Sequence, residues 1–125
     1  MNAWPFGDLQ PFAYNVVMID PNWRFKLRSA AGEAKAPQAH YHCDSIETIR
    51  ALPVRDLAAD DCVLWLWATN PMLDQAIDTL KAWEFQFATA GHWSKKTKHG
   101  KQAFGTGYIL RCAGEPFLIG TRGSP

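Results

Sequence analysis

Tyr14-Asn15-Val16-Val17-Met18-Ile19-Asp20-Pro21-Asn22-Trp23 is the stretch whose reading decides the fold. Its first six residues are a short, apolar, β-branched run, the pattern of a buried parallel strand. Pro21 has no N–H to give a ladder, so the strand stops there. An acid, a proline and an indole then stand just past the carboxyl end of a strand, the edge where open α/β sheets bind ligands. The Pro21 carbonyl keeps both lone pairs. Asp20 adds a second acceptor and Trp23 a flat apolar face. Two acceptors and an aromatic surface suit a planar ring with an exocyclic amine. Asp, Pro and Asn are also ordinary turn residues, so the four residues taken alone fit a plain turn as well.

The frame around this stretch is a single domain, residues 1–125. With 47% hydrophobic and 20% charged residues, the chain can bury a real core. A net charge of +1 excludes a global basic field, so contact with nucleic acid needs a local patch. Six tryptophans exceed what a core this size calls for, and surplus aromatics are what stacking sites use. The cysteines, Cys43, Cys62 and Cys112, are three and widely spaced, which predicts a reducing cytoplasm and no disulfide framework. His40, His42 and Cys43 lie close together, but no second ligand pair at metal spacing follows, so they read as loop residues and no metal is expected. No apolar run reaches the roughly 20 residues that span a bilayer. The N-terminus lacks the charged and apolar regions of a signal peptide.

Residues 1–13 read as an irregular lead-in. Phe25 to Cys43 is a long polar stretch beginning at the proposed site. It fits a mobile flap over a substrate, with Arg24, Lys26, Arg28 and Lys35 as its basic side, and equally an unstructured insertion. Asp44 or Ser45 caps a helix from Ile46 to about Leu52, which Pro53 breaks. Val54 to Ala58 is a turn or short helix. Cys62 to Trp67 is the second apolar strand. Asn70-Pro71 marks a helix start, with Asn70 as the cap, and Leu73, Ala76, Ile77 and Leu80 form its stripe. Phe85 to Trp93 is a third strand. Ser94 to Gln102 follows as a basic loop: a solvated charged run, or an arm in which Lys95, Lys96, Lys98 and Lys101 meet phosphates. Gly105-Thr106-Gly107 lacks the third glycine of a dinucleotide fingerprint. Tyr108 to Ala113 reads as a short helix ending at Gly114. Glu115 to Gly120 is a fourth strand, with Pro116 suited to an edge or a first position. Alternating strands and helices predict a doubly wound α/β fold with right-handed crossovers.

The order of these features resembles the adenine-N6 methyltransferase family whose motif is Asp-Pro-Pro-Trp, the family of the mRNA adenosine methyltransferase catalytic subunit and of phage and bacterial DNA adenine methylases. The matching pieces are Asp20-Pro21-Asn22-Trp23, His40-Tyr41, Leu64-Trp65-Leu66-Trp67-Ala68-Thr69-Asn70, Leu80-Lys81-Ala82-Trp83-Glu84-Phe85, Trp93-Ser94-Lys95, Gly105 to Arg111, and Glu115-Pro116-Phe117-Leu118-Ile119-Gly120. They run in the family's order over nearly the whole chain. The resemblance implies a partial Rossmann-like fold of about four strands with flanking helices. It implies S-adenosylmethionine as cofactor and adenine in DNA or RNA as substrate, in a bacterial or phage-infected cell. It implies a catalytic group of Asp20, Pro21, Asn22 and Trp23, with Asp20 and Pro21 also bordering the cofactor. Trp23, Tyr41, Asn70, Lys95 and Glu115 would line the substrate cleft.

Two departures bear on this. Asn22 replaces the family's second proline, which restores an N–H and loosens the turn. The family pattern also continues past Pro125 with a helix and a strand that carry much of the cofactor site, so the catalytic-motif half is expected here. A sheet lacking those strands exposes an edge and can associate as a homo- or hetero-dimer. A non-catalytic nucleic-acid-binding relative that keeps the fold is the alternative. An interaction domain with no nucleic-acid role is the third reading.

Overall fold

The computed structural model describes residues 3–23, 44–103 and 113–125. The expected flap with its basic residues, the His40–His42–Cys43 group, Tyr41, the Gly105–Gly107 turn and the helix from Tyr108 lie outside the described residues.

The elements in chain order are β1 (Tyr14–Ile19), α1 (Ile46–Ala51), β2 (Ala58–Trp67), α2 (Leu73–Ala82), β3 (Gln86–Ser94) and β4 (Gly114–Arg122). One-turn 3-10 helices lie at Val54–Leu57 and Asn70–Met72. The sheet order is β1-β2-β4-β3. β1 runs parallel to β2, and β4 runs antiparallel to both β2 and β3. The sheet is mixed, a common form in α/β folds.

Local chemistry explains the helix ends. The Ser45 side chain accepts from the Thr48 N–H, Glu47 sits in the first turn of α1 and Arg50 in its last. Asn70 is not the cap of α2. Asn70 to Met72 form a separate 3-10 turn, and α2 starts after Met72 without a side-chain cap. Pro71 explains this: it fixes φ for a helical turn but brings no N–H. At the other end, the Phe85 N–H reaches the Leu80 carbonyl (3.2 Å) and the Glu84 N–H the Lys81 carbonyl (2.9 Å). That is a Schellman closure with Glu84 at φ 62°, where glycine is usual.

Both helices cover one face of the sheet. Ile49 of α1 and Ala76 and Leu80 of α2 share a core with Val17, Leu64, Leu66 and Leu118. Gly120 permits the approach of α2, since a Cβ there would stand 2.9 Å from Leu80 Cδ1. Arg50 ties the two helices: its Nε donates to Thr79 Oγ1 (3.1 Å) and its Nη2 to Gln75 Oε1 (2.8 Å).

The expected α/β fold of about four strands with flanking helices is present, and the two described helices lie on one face of the sheet. Two expectations are corrected. β1 is buried on that face only, at Val17, while Val16 and Met18 are 65% and 63% exposed on the other. β4 is internal rather than at an edge, despite Pro116. Pro116 sits where the β2 ladder is ending: its carbonyl accepts from the Ala68 N–H (3.0 Å), and no return bond is required because β2 stops at Trp67.

Candidate functional site at the carboxyl edge

The topology gathers the site. β1, β2 and β3 point the same way, and β4 enters the sheet where they leave it. Asp20, Asn70, Lys95 and Glu115 therefore share one edge although they span most of the chain. Pro21 and Asn22 turn the backbone there. The Trp23 N–H closes onto the Pro21 carbonyl at 3.0 Å, and the Asp44 N–H onto the Asn22 carbonyl at 2.9 Å. An i to i+2 closure of this kind is a γ-turn. Trp23 also bridges to Asp44 in parallel. The turn is thus tied at two points without a second proline. One lone pair of the Pro21 carbonyl is engaged by its own turn and the other remains for a ligand.

The expected stacking face of Trp23 is not presented. The side chain is 4% exposed and belongs to the core. Its indole N–H donates to the Trp67 carbonyl at 3.0 Å. The reason lies in the ladder. Backbone groups alternate sides along a strand. The Ala68 N–H points to β4, so the Trp67 carbonyl points toward β1, which has already ended at Ile19. Trp23 fills that gap. It is a strut that fixes the Asp20–Asn22 turn against β2.

Asp20 keeps its place at the surface. It follows Met18 by two residues and so faces away from the helices. Burial of one side of its carboxyl raises its pKa above the ordinary value, and the negative charge of Glu115 raises it further. The two acids are close enough to feel each other. Glu115 in turn accepts from Lys95 Nζ at 2.7 Å, so Lys95 is held within the site rather than extended toward solvent. Lys95 also lies 5.1 Å from the Trp93 ring centre, a cation–π distance. Asp20, Glu115 and Lys95 are brought together. Asn70 lies exposed on the 3-10 turn at the same edge.

Lys96, Lys98 and Lys101 stand apart on an ordered hairpin. Lys96 bridges to Gln102, the Thr97 N–H meets the Lys101 carbonyl at 2.7 Å, and Gly100 turns at φ 77°. Gln102 Nε2 ties the hairpin back to the Ala113 carbonyl at 2.8 Å. All three lysines are exposed.

One feature of the site escapes a reading by motif: the Trp67 carbonyl as the anchor of the turn, which no side chain reveals. Trp93, in the Trp93-Ser94-Lys95 piece of the resemblance, is 53% exposed on the same face as Glu115 and Lys95, because residues two apart along a strand share a face. A groove of about 480 Å³ lined by Trp4, Leu52, Pro53 and Asp56 lies beside α1, near the start of β2, and touches none of these residues. Among the described residues no cluster of side chains could hold a metal. Nor is any of their helices long and apolar enough to cross a membrane.

A four-stranded mixed sheet flanked by helices, with an acid–proline turn at its carboxyl edge, is consistent with a partial methyltransferase-type α/β domain. The family model MT-A70 matches residues 14–125, and the chain belongs to that family. Its relatives include the type II methyltransferase M.MunI of Mycoplasma sp, 24% identical over 106 residues, which cover 72% of this chain and 46% of that protein. The human N(6)-adenine-specific methyltransferase METTL4 is 26% identical over 94 residues, 73% of this chain and 18% of that protein. A Drosophila melanogaster N(6)-adenosine-methyltransferase MT-A70-like protein is 28% identical over 114 residues, 90% of this chain and 17% of that protein. The chain spans about half the length of these curated relatives, or less.

Proposed function

We propose that the chain carries the catalytic-motif half of an S-adenosylmethionine-dependent enzyme that methylates the N6 amine of adenine in nucleic acid. The observation that carries this reading is the placement of Asp20. Its carboxylate stands at the surface of the carboxyl edge, on a turn fixed by Trp23, beside the half-free carbonyl of Pro21.

The donor set fits the cofactor. S-adenosylmethionine carries a sulfonium cation, an ammonium and a carboxylate. Asp20 and Glu115 offer two negative groups at one edge and Lys95 a positive one. When bound, the cofactor supplies an electrophilic methyl group.

The adenine amine is a poor nucleophile because its lone pair is delocalised into the ring. An Asp20 carboxylate oxygen and the open lone pair of Pro21 accept the amine hydrogens. That draws the nitrogen toward a pyramidal shape and places negative charge where positive charge develops. The turn is held before any substrate arrives, so little reorganisation is required of it. Stacking of the target base on Trp23 is not part of this reading. Tyr41 remains a proposed border of the adenosine, and Lys96, Lys98 and Lys101 proposed phosphate contacts.

Incubation with labelled S-adenosylmethionine and adenine-containing DNA or RNA should transfer label, and Asp20→Ala should abolish it. No transfer to either nucleic acid would end the enzymatic reading. The second reading is a non-catalytic nucleic-acid-binding relative, favoured by Asn22 in place of the family's second proline. Calorimetry with S-adenosylmethionine separates the two, since a cofactor-free module should give no heat of binding. Whether the working form is a homo- or hetero-dimer, and whether it acts in the cytoplasm, belongs to the same proposal.

A further inference from the structure

β3 is an edge of the sheet: the order β1-β2-β4-β3 leaves its outer side without a neighbouring strand among the described residues. Proteins usually blunt such edges with charge, proline or brevity. β3 uses none of these. Gln86–Ser94 is nine residues long and contains no lysine, arginine, acid or proline. Every residue in it is exposed except Gly91. A register shift between Phe87 and Thr89 disturbs its start, so the regular edge runs from Thr89 to Ser94.

Lys95 fixes which backbone groups face outward. Its N–H meets the Ala113 carbonyl at 3.3 Å, on the β4 side. Backbone groups alternate along an antiparallel strand, so Trp93, Gly91 and Thr89 also face β4. Ala90, His92 and Ser94 turn their N–H and C=O groups outward. The side chains at the middle of this edge lean inward. On the face away from the helices, Phe117 lies across Gly91, where a Cβ would collide with its ring. On the helix face, His92 leans over Gly114, where a Cβ would stand 2.7 Å from Nε2.

An open edge with outward donors and acceptors calls for another strand. β3 is complementary to itself. A strand that pairs with its own copy across a two-fold axis runs antiparallel to it, and Gly91 is where the axis fits. With the two Gly91 residues opposite each other, Ala90 meets the second copy's His92, and His92 the second copy's Ala90. Each is a hydrogen-bonded pair, about four N–H···O bonds in all. The central pair is a close one, with Cα atoms about 4.5 Å apart, and glycine leaves it free of side chains. The two Phe117 rings then meet tip to tip over the axis. Each already stacks on its own Trp65 at 4.0 Å, so the aromatic surface continues from one copy into the other. No like charges are brought together, because β3 carries none.

We propose that two copies of this chain pair edge to edge through β3, antiparallel about Gly91, and so join their sheets into one. The axis stands perpendicular to the sheet. Both helix layers therefore fall on one side and both aromatic surfaces on the other. The two carboxyl edges point in opposite directions, and each keeps its own Asp20. The pairing names the edge and the partner of the dimer considered above, and it rests on the sheet rather than on methyl transfer. The contact is short, so the pair exchanges with its monomers.

Sedimentation velocity of the full chain tests this. It should show monomer at low concentration and dimer as the concentration is raised to roughly 1 mM. Ala90→Pro removes an outward N–H without touching the β4 ladder and sets a ring in the second copy's path. Ala90→Lys puts a charge at the same point of the edge and keeps the test if the proline variant does not fold. Each should weaken dimerisation about tenfold or more, since the axis makes every substitution count twice. The register has its own readout. Ala90→Cys combined with His92→Cys should give a covalent dimer on mild oxidation, reversed by reductant. Facing residues of a hydrogen-bonded pair have Cα atoms about 5.5 Å apart, within disulfide reach. The parent chain, with Cys43, Cys62 and Cys112, sets the background. A chain that stays monomeric throughout overturns the proposal. So does a dimer that Ala90→Lys leaves unchanged, and so does a double cysteine variant that cross-links no more than the parent. Those outcomes leave the methyl-transfer reading standing, because each copy keeps its own site. Failure of methyl transfer with pairing intact leaves this proposal standing.

Discussion

The covered and uncovered faces of the sheet are made by alternate residues of the same strands. On the covered face, Leu64 and Leu66 of β2 and Leu118 of β4 are fully buried beneath α1 and α2, with Trp23 packed among them. On the other, Trp65, Trp67 and Phe117 form a half-exposed aromatic floor, and Asp20, Glu115, Lys95 and Trp93 gather at its carboxyl end. One face is filled by shape and the other by chemistry. Every residue of the candidate site whose side chain carries charge lies on the uncovered face or beyond the strand ends. Trp23 is the link between them. It leaves the site side, enters the core, and holds the site's turn from behind.

This contrast breaks most readily at Leu66. Leu66→Ala should lower stability by about 2–5 kcal/mol in urea denaturation, the usual cost of a buried leucine cavity. Met18→Ala, across the sheet, should change it by less than about 0.5 kcal/mol. Equal effects would mean that the uncovered face is also a packed core.

Trp23→Phe tests the link. A smaller phenyl ring replaces the indole and the N–H goes, leaving the Trp67 carbonyl unpaired and a small void in the core. A loss of about 1–3 kcal/mol is expected. Methyl transfer should fall more than global stability explains, because the Asp20 turn loses its anchor. Unchanged methyl transfer with the expected loss of stability would show that the turn holds itself.

The pH dependence sharpens the charged side. Asp20 offers two acceptor oxygens and a negative charge to the amine only when ionised; protonation removes the charge and turns one oxygen into a donor. Its pKa is raised first by burial and then by Glu115. As pH falls, protonation therefore removes activity sooner than for an ordinary aspartate, and the acid limb of the pH–rate profile should lie above pH 3.8, the ordinary aspartate value. Glu115→Gln removes the smaller cause, so the limb should shift to lower pH while burial keeps it above the ordinary position. An unmoved limb would detach Glu115 from Asp20.

The smallest effect lies away from both faces, at the end of α2. Glu84 holds a left-handed conformation that glycine adopts freely, and it pairs with Arg55 at the surface. Glu84→Gly should raise stability by about 1 kcal/mol or less, read as a shift in the urea midpoint.

Much of this was legible beforehand. Tyr14–Ile19 and Gln86–Ser94 fall close to their expected places, and Ser45 caps α1 as its residue type predicts. Asp20 reaches the expected edge of the sheet. Asn70 misled because a capping residue followed by proline also starts a 3-10 turn. Pro116 misled because the rule that keeps proline at edges concerns a missing N–H, and a strand whose neighbour is ending does not need one. Trp23 misled for a related reason. An indole offers both a face and an N–H, and the sequence does not say which one a site uses.

The sequence by itself determined the local pieces: where strands and helices form, which residues alternate, and that an acid–proline turn follows the first strand. Those follow from sterics, capping and periodicity within a few neighbouring residues. Only the tertiary structure decided that β4 is inserted between β2 and β3, that Lys95 answers Glu115, and that the Trp67 carbonyl draws Trp23 inward. Each of these depends on which backbone groups are left without partners once the strands have chosen their neighbours, and that is a property of the assembled sheet.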